Sequence, residues 1–470
     1  MAAGSRMRLQ RHGARSSPGL PPARFRMLLD VLYLVAFVVL LPWMAWRKLS
    51  GGRPVAAPWQ RFAGAIPPLP RRAGVARIWL HGVSVGEVQL LASLAEEIGR
   101  QADAAGRAVE CVASSSTTTG LDVAMRRFGA DRVFPCPLDF TWAVNRTFDR
   151  IQPDLLVLGE LELWPNLLAG ARRRGVPVVV ANARMSERSA RGYARIAPLV
   201  RRMLGNVSLV LARSQEDADR FAANGAREVI VTGSMKFDGV KGDRAAAEIE
   251  RLRMLAGIAA ADVVFLAGST QAPEEQLAVD AYRAVAIAHP ELRLVIVPRH
   301  VERAAEIATL LDRSGLPWQL RSRLGVPDEP EPAAPRARVL LVDTTGELGW
   351  WWGTATIAFV GGSLDGKRGG QNMLEPAAYG AAVAFGPHTR NFKDEVRRLL
   401  AADAALVVGD GAALAAFVER CLDEPDFATG IGGRAAALVA SQRGSRALTA
   451  DAIIRRLPAA KIPAGGCQAR

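Results

Sequence analysis

One carboxylate in this sequence stands where an α/β enzyme keeps a general base. In Trp79–Glu87 an apolar run ends at His81, breaks into a turn bracketed by Gly82 and Gly86, and delivers Glu87 into the start of a helical stretch. Open parallel sheets bind ligands beyond the carboxyl ends of their strands, so an acid at the first strand-to-helix turn is placed for proton transfer. The position equally suits a plain first-turn acid facing the positive end of a helix dipole. Two more carboxylates, Glu160 and Glu162, leave the buried run Leu155–Leu158 beside Trp164 and Pro165. Such a pair is costly unless paired or solvated, and on a strand both would point the same way. With Pro165 at an early helical position they would instead form an acid cluster at a helix N-terminus.

Cations and glycine turns supply complementary chemistry. Arg184, Arg188, Arg191 and Arg195 recur at four- and three-residue steps. If helical, they form one basic stripe, suited to substrate phosphates, to an anionic bilayer or simply to solvent. Lys236, in Gly233–Asp238, follows a strand and could neutralise an anionic centre or sit on the surface. Gly268, Ser269 and Thr270 form a small-residue turn usable as an anion cradle. Pro298 and Arg299 end another strand, where a planar guanidinium could grip a phosphate. Two glycine turns follow: Asp343–Gly349, with Gly346, Glu347 and Leu348, and Gly369–Ala377, with Asn372, Met373, Leu374 and Glu375. Glu375 could bond sugar hydroxyls, cap with Asn372, or both. Four such strand-end motifs in one region describe a nucleotide-sugar pocket.

The elements that must position these groups alternate regularly. Strand-type runs are expected at Ala76–His81, Ala108–Ser114, Arg132–Pro137, Leu155–Glu160, Val176–Ala183, Val207–Ala212 and Val229–Gly233. After a pause they restart at Val263–Ala267, Leu292–Val297, Val339–Val342, Ile357–Val360, Ala382–Phe385 and Leu406–Val408. Amphipathic stretches separate them, so two doubly wound α/β domains are expected, facing each other across a cleft. The boundaries read as a basic extension (1–26), a membrane anchor (27–48), a connector (49–74), a first domain (75–238), a second domain (239–455) and a tail (456–470). Pro327–Pro335 reads as an exposed loop within the second domain.

Met27–Trp46 is apolar except for Asp30, carries Tyr33, Trp43 and Trp46, and is flanked by Arg24, Arg26, Arg47 and Lys48. It reads as a membrane segment that either spans or lies in the interface. At 470 residues, half of them apolar, the chain is long enough for two cores. Its net charge of +14 implies an anionic partner. No helix-turn-helix, RRM or zinc-finger signature accompanies that charge, so nucleic acid is not expected. Cys111, Cys136, Cys421 and Cys467 are scattered, which fits a reducing compartment rather than a disulfide framework or zinc site.

In order along the chain stand HGVSVGE (81–87), ELELWPN (160–166), NARMSERSARGY (182–193), GSMKFD (233–238), GST (268–270), VPRH (297–300), TTGELG (344–349) and GGQNMLEPAAYGAAVAFGPHTRNF (369–392). This series, over about residues 27 to 440, resembles the 3-deoxy-D-manno-octulosonic acid (Kdo) transferases of lipopolysaccharide assembly. The resemblance implies a GT-B fold and transfer of Kdo from CMP-Kdo to a tetraacylated, bisphosphorylated lipid A precursor, with inversion and with neither cofactor nor metal. It also implies catalytic domains on the cytoplasmic face of the inner membrane, in contact with its lipids. By resemblance Glu87 is the base, Glu160 or Glu162 with Lys236 steadies the transition state, and Ser84, Gly86, Arg184, Arg188 and Arg191 face the acceptor. Pro298, Arg299, Gly346–Leu348 and Asn372–Glu375 match the CMP-contacting segments, with Gly268–Thr270 beside them. The chain departs from the family at Met373, where Pro is usual, and at Gln271, where His is usual. The alternative is another membrane-associated GT-B enzyme using a different nucleotide sugar.

Overall fold

The structure is a computed structural model that describes residues 9–11, 23–49, 57–325 and 337–458. The expected Pro327–Pro335 loop, Cys467, most of the basic extension, part of the connector and the tail beyond 458 lie outside the described residues. The chain divides into two compact units, one of Met1–Gly239 with Arg443–Arg470, the other of Val240–Gln442.

The sheet of the first unit contains β1 (Leu9–Arg11), β2 (Ala76–His81), β3 (Val109–Ser115), β4 (Val133–Pro135), β5 (Leu155–Gly159), β6 (Val178–Ala183), β7 (Leu209–Ala212) and β8 (Glu228–Val231). Its order is β1-β8-β7-β6-β5-β2-β3-β4. All neighbours are parallel except β1, which pairs antiparallel with β8. The central strands are apolar on both faces because helices cover both. Trp79, Leu156, Leu158 and Val180 enter one core, while Ile78, Leu80, Val157 and Val179 enter the other. From β2 the chain first builds outward through β3 and β4, then returns to lay β5 on the other side. The carboxyl ends of β2 and β5 therefore flank a topological switch point, where a doubly wound sheet opens a crevice.

The second unit follows the same logic with β9 (Val263–Thr270), β10 (Leu292–Pro298), β11 (Trp318–Leu320), β12 (Val339–Leu341), β13 (Ile357–Val360), β14 (Ala382–Phe385) and β15 (Leu406–Val407). Its sheet, ordered β11-β12-β10-β9-β13-β14-β15, is parallel throughout. The switch point lies between β9 and β13. Two Rossmann-like α/β units are thus present, and all thirteen expected strands are found; β1 and β11 are additional.

Two expectations need correction. The second unit ends at Gln442, not at 455. The last helix, Ser445–Ile454, returns to the first unit and buries Ala450, Ile453 and Ile454 against Leu91, Leu94 and Ile98. Asp238 receives it, accepting the Gly444 and Arg446 N–H groups at 2.6 and 2.7 Å.

The apolar run of 27–48 lies within one helix, α1 (Ala23–Leu49), with Pro42 inside it. Among the described residues, however, no helix is long and apolar enough to cross a membrane, so the spanning reading falls. One face of α1 is docked on protein. Asp30 accepts the Thr141 N–H at 2.9 Å and the Asn166 side-chain amide at 3.2 Å. Phe37 stacks on Phe62, from α2 (Pro58–Ala63), at 5.1 Å, and Tyr33 meets the Phe140 ring edge-on at 6.1 Å. The other face exposes Val31, Leu32, Val35, Val38 and Val39.

Candidate active site

At the switch point of the first unit, β2 ends at His81 and the chain turns through Gly82 and Val83 into α3 (Val85–Ala104). Ser84 caps α3 by accepting the Glu87 N–H at 3.2 Å. Glu87 reciprocates: Oε1 accepts the Ser84 hydroxyl at 2.8 Å and Oε2 the Val83 N–H at 3.0 Å. This is a capping-box-like arrangement in which the carboxylate meets the N–H of Val83, one residue before the cap, so the plain first-turn reading of Glu87 describes its position correctly. The box also fixes the carboxylate over the end of β5, where a Cβ on Gly159 would lie 3.7 Å from Glu87 Oε2. His81 is not a competing base. Burial pushes its imidazole down to about 4, and Nδ1 is engaged by Ser114.

Glu160 and Glu162 lie past the strand, so the rule that alternate strand residues point alike does not apply to them. Glu160 has a left-handed backbone (φ 54°) and its carboxylate pairs with Arg213. Arg213, only 4% exposed, also donates from Nε to the Asn182 carbonyl at 3.0 Å, and Asn182 Oδ1 accepts the Met235 N–H at 3.2 Å. One guanidinium therefore ties the ends of β5 and β6 to the segment presenting Lys236. Glu162 instead accepts the Trp164 indole N–H at 3.0 Å. Burial raises its pKa, and the nearby charges of Glu87 and Glu160 raise it further. The three acids thus come together with unequal roles: Glu160 is neutralised by a cation, and Glu162 resists ionisation.

The helix expected after Trp164-Pro165 runs from Pro165 to Arg173. Its first N–H groups are satisfied by Asp139, which accepts those of Asn166 and Leu167 at 3.0 and 2.8 Å. Burial lifts this carboxyl to about 7. The basic stripe is only partly as expected. The helix spans Glu187–Ala194, so it carries Arg188 and Arg191, while Arg184 precedes its cap Ser186 and Arg195 ends it. Arg188 and Arg191 are exposed, as are Ser84 and Gly86.

In the second unit the small-residue segment is the end of β9 itself rather than a turn after it. Ser269 has a left-handed backbone (φ 53°), and Thr270 Oγ1 is buried with no partner among the described residues. The Thr270 carbonyl accepts the Arg299 N–H at 3.0 Å, leaving the Arg299 side chain exposed beyond Pro298.

Gly346 (φ 86°) makes the turn ahead of Leu348, but the Glu347 carboxylate is turned inward. Arg321 grips it at 2.8 and 3.0 Å and Thr344 donates at 2.7 Å. Against partial burial, these bonds hold its pKa low. Of this motif Gly346 is exposed, while Glu347 and Leu348 are half-buried.

Met373 and Leu374 are fully buried. Asn372 Nδ2 donates to Glu375 at 3.1 Å, side chain to side chain, and the helix Leu374–Ala378 has Met373 at its N-cap with no side-chain cap, so the capping alternative is not what the pair forms. Burial raises the Glu375 pKa, while Asn372 and the charges of Arg299 and Lys241 pull it back. Among the described residues no group of three or more His, Cys, Asp or Glu side chains could hold a metal ion. Sequence reasoning missed Arg213 and Asp139; a strand-end position after β7 is the only signal that marks Arg213.

A family profile described as 3-deoxy-D-manno-octulosonic-acid transferase (kdotransferase) matches residues 58–239. The 3-deoxy-D-manno-octulosonic acid transferase of Bordetella pertussis is 34% identical over 430 residues, 89% of this chain and 96% of that one. That of Haemophilus influenzae is 34% identical over 78% of this chain and 84% of its own. Among solved structures, the C-terminal CMP-Kdo binding domain of WaaA from Acinetobacter baumannii matches 41% of this chain and 96% of its own at 28% identity, with a TM-score of 0.37. The UDP-GlcNAc 2-epimerase of Neisseria meningitidis covers 81% of this chain and 99% of its own with a TM-score of 0.50, but at 13% identity it speaks for the fold alone. On sequence similarity over nearly its whole length, the chain belongs to the 3-deoxy-D-manno-octulosonic acid transferases, a family of glycosyltransferases.

Proposed function

We propose that this glycosyltransferase moves Kdo from CMP-Kdo to a hydroxyl of a tetraacylated lipid A precursor, inverting the anomeric centre. The observation that carries the reading is Glu87, oriented through both oxygens at the switch point of the first unit, beside Glu160 and Glu162. Glu87 takes the proton of the acceptor hydroxyl as that oxygen attacks the anomeric carbon; the bond to the phosphate breaks and CMP leaves with the electron pair. Glu162, the carboxyl that resists ionisation, is the one we place nearest the substrate, since Glu160 is occupied by Arg213. Lys236, and in the second unit Arg299, balance anionic charge on the substrates. Arg188 and Arg191, exposed on one short helix, suit the acceptor phosphates, with Ser84, Gly86 and Arg184 on the same unit. The Thr270 hydroxyl, the Gly346–Leu348 backbone and Asn372–Glu375 serve the nucleotide sugar.

We place the enzyme on the cytoplasmic face of the inner membrane, with α1 lying in the lipid surface. Support comes from the exposed apolar face of α1 and from the chain on either side of it. Residues 9–11 pair with β8 and α2 packs beside Phe140 and Trp142, so both flanks return to the same unit.

Mass spectrometry of a tetraacylated lipid A precursor incubated with CMP-Kdo and the full chain tests the chemistry, with Glu87→Ala in parallel. A Kdo mass gain with wild type alone is expected. No gain, together with turnover of a different nucleotide sugar, would move the chain to another donor.

A further inference from the structure

Glu274 is a buried carboxylate that the transfer chemistry does not use. It opens the helix Glu274–Val285, is 2% exposed, and has no cationic partner among the described residues. Burial raises its pKa, and four backbone N–H groups work against that by meeting the carboxylate: Oε2 accepts those of Gln271 at 2.9 Å and Gly362 at 2.7 Å, and Oε1 those of Ser363 at 3.0 Å and Leu364 at 3.2 Å. Consecutive N–H groups converging after a strand form the concavity that elsewhere binds phosphate. Here the protein's own side chain occupies it.

The position matters because β9 and β13 flank the switch point of the second unit. Gln271 continues from Gly268–Thr270 at the end of β9, while Gly361–Leu364 follows β13. The second loop leads on to the glycine motif, since the Gly362 carbonyl accepts the Gly370 N–H at 2.7 Å. Close approach is built in: a Cβ on Gly361 would stand 2.6 Å from Glu274 Oε2 and 2.6 Å from the Thr270 Cα. Gly362 needs its left-handed backbone (φ 65°) to turn its N–H inward.

We propose that Glu274 is a positioning residue for the nucleotide sugar: as an internal anion it fills the cradle at Gly362–Leu364 and holds the β9 and β13 loops in the shape that receives the donor. This rests on the donor reading above. It also means that this cradle is closed to the donor's own phosphate and carboxylate, which must be met by the exposed Arg299 side.

The test uses the full chain with Glu274→Ala, which removes the equivalent of an acetate ion. The variant is expected to raise the donor KM at least about tenfold, with the acceptor KM within about twofold of wild type. Added acetate should restore the donor KM and raise the Tm of Glu274→Ala but not of wild type, while acetamide, of the same shape but neutral, should do neither. A donor KM within about twofold of wild type, or an absence of acetate response in both readouts, overturns the proposal. If Glu274→Ala does not fold, Glu274→Gln serves: its amide retains one acceptor and sets N–H against N–H, so the donor KM must rise while the acceptor KM holds. Should wild type not turn over CMP-Kdo, the donor reading fails instead, and the acetate-dependent Tm still decides whether Glu274 is an internal anion.

Discussion

Glu87 is held in place before any substrate arrives, so its replacement separates chemistry from folding. Glutamine can still accept from Val83 or Ser84, leaving the cap of α3 largely intact. Glu87→Gln should therefore lower kcat at least about a hundredfold, measured by product mass, with CMP affinity and Tm near wild type. The same variant removes a negative charge facing Glu162. A like charge disfavours ionisation, so removing it lets Glu162 ionise more easily, and its carbon-13 carboxyl titration should move to lower pH. No movement would mean that the charge of Glu87 does not reach Glu162. Arg213→Ala leaves Glu160 unpaired and frees the Asn182 carbonyl; because Glu160 is one-third exposed, the loss should be about 2–3 kcal/mol in denaturant unfolding. The acids were legible in the sequence because carboxylates at strand ends stand out against apolar runs. Arg213 was not, in a chain whose basic residues are mostly arginine. Nor was Glu274, whose sequence context shows only a first-turn acid, while its four N–H partners come from loops up to ninety residues away.

At the scale of elements, legibility followed local pattern. Strands such as Ile357–Val360 and Ala382–Phe385 match their apolar runs residue for residue, since a strand buried on both faces must be continuously apolar. The edge strands β1 and β11 carry no such signal: each is three residues long and is held by its neighbour's unpaired backbone. The apolar run of α1 was legible as one continuous segment, but pattern alone does not distinguish a lipid-facing helix from one docked on protein by Asp30 and Phe37. Its two faces make separate predictions. Val35 and Val39 are exposed, at 56% and 70%, so Val35→Ser with Val39→Ser should weaken co-sedimentation with anionic lipid vesicles at least about tenfold and leave Tm nearly unchanged. Phe37→Ala removes the stack on Phe62 and should do the reverse, lowering stability by about 1–3 kcal/mol while vesicle binding persists. Equal effects of both changes on vesicle binding would refute the division of faces.

The whole molecule is not the two consecutive halves that strand and helix alternation suggests along the chain. Alternation is a local signal, and the return of residues 443–458 to the first unit is a non-local event that no stretch of sequence displays. Its energetic weight follows from burial. Ile453 is fully buried and Ile454 and Leu457 nearly so, in the same core as Leu94 and Ile98 of α3. Gln101 also donates to the Ala447 carbonyl at 3.0 Å and Arg107 to the Ile454 carbonyl at 3.1 Å. At about 1.5–3 kcal/mol for each large apolar side chain, the segment contributes several kcal/mol, comparable with the net stability of a domain. Ending the chain after Gln442 should thus lower or abolish the thermal transition of the first unit, and leave that of the second, whose core of Phe265, Ile296 and Phe359 lies wholly within Val240–Gln442, close to its original temperature. Differential scanning calorimetry of the truncated and full chains decides this. A first-unit transition that survives unchanged would show that the last helix is an appendage, and that Asp238 caps it without consequence for the core.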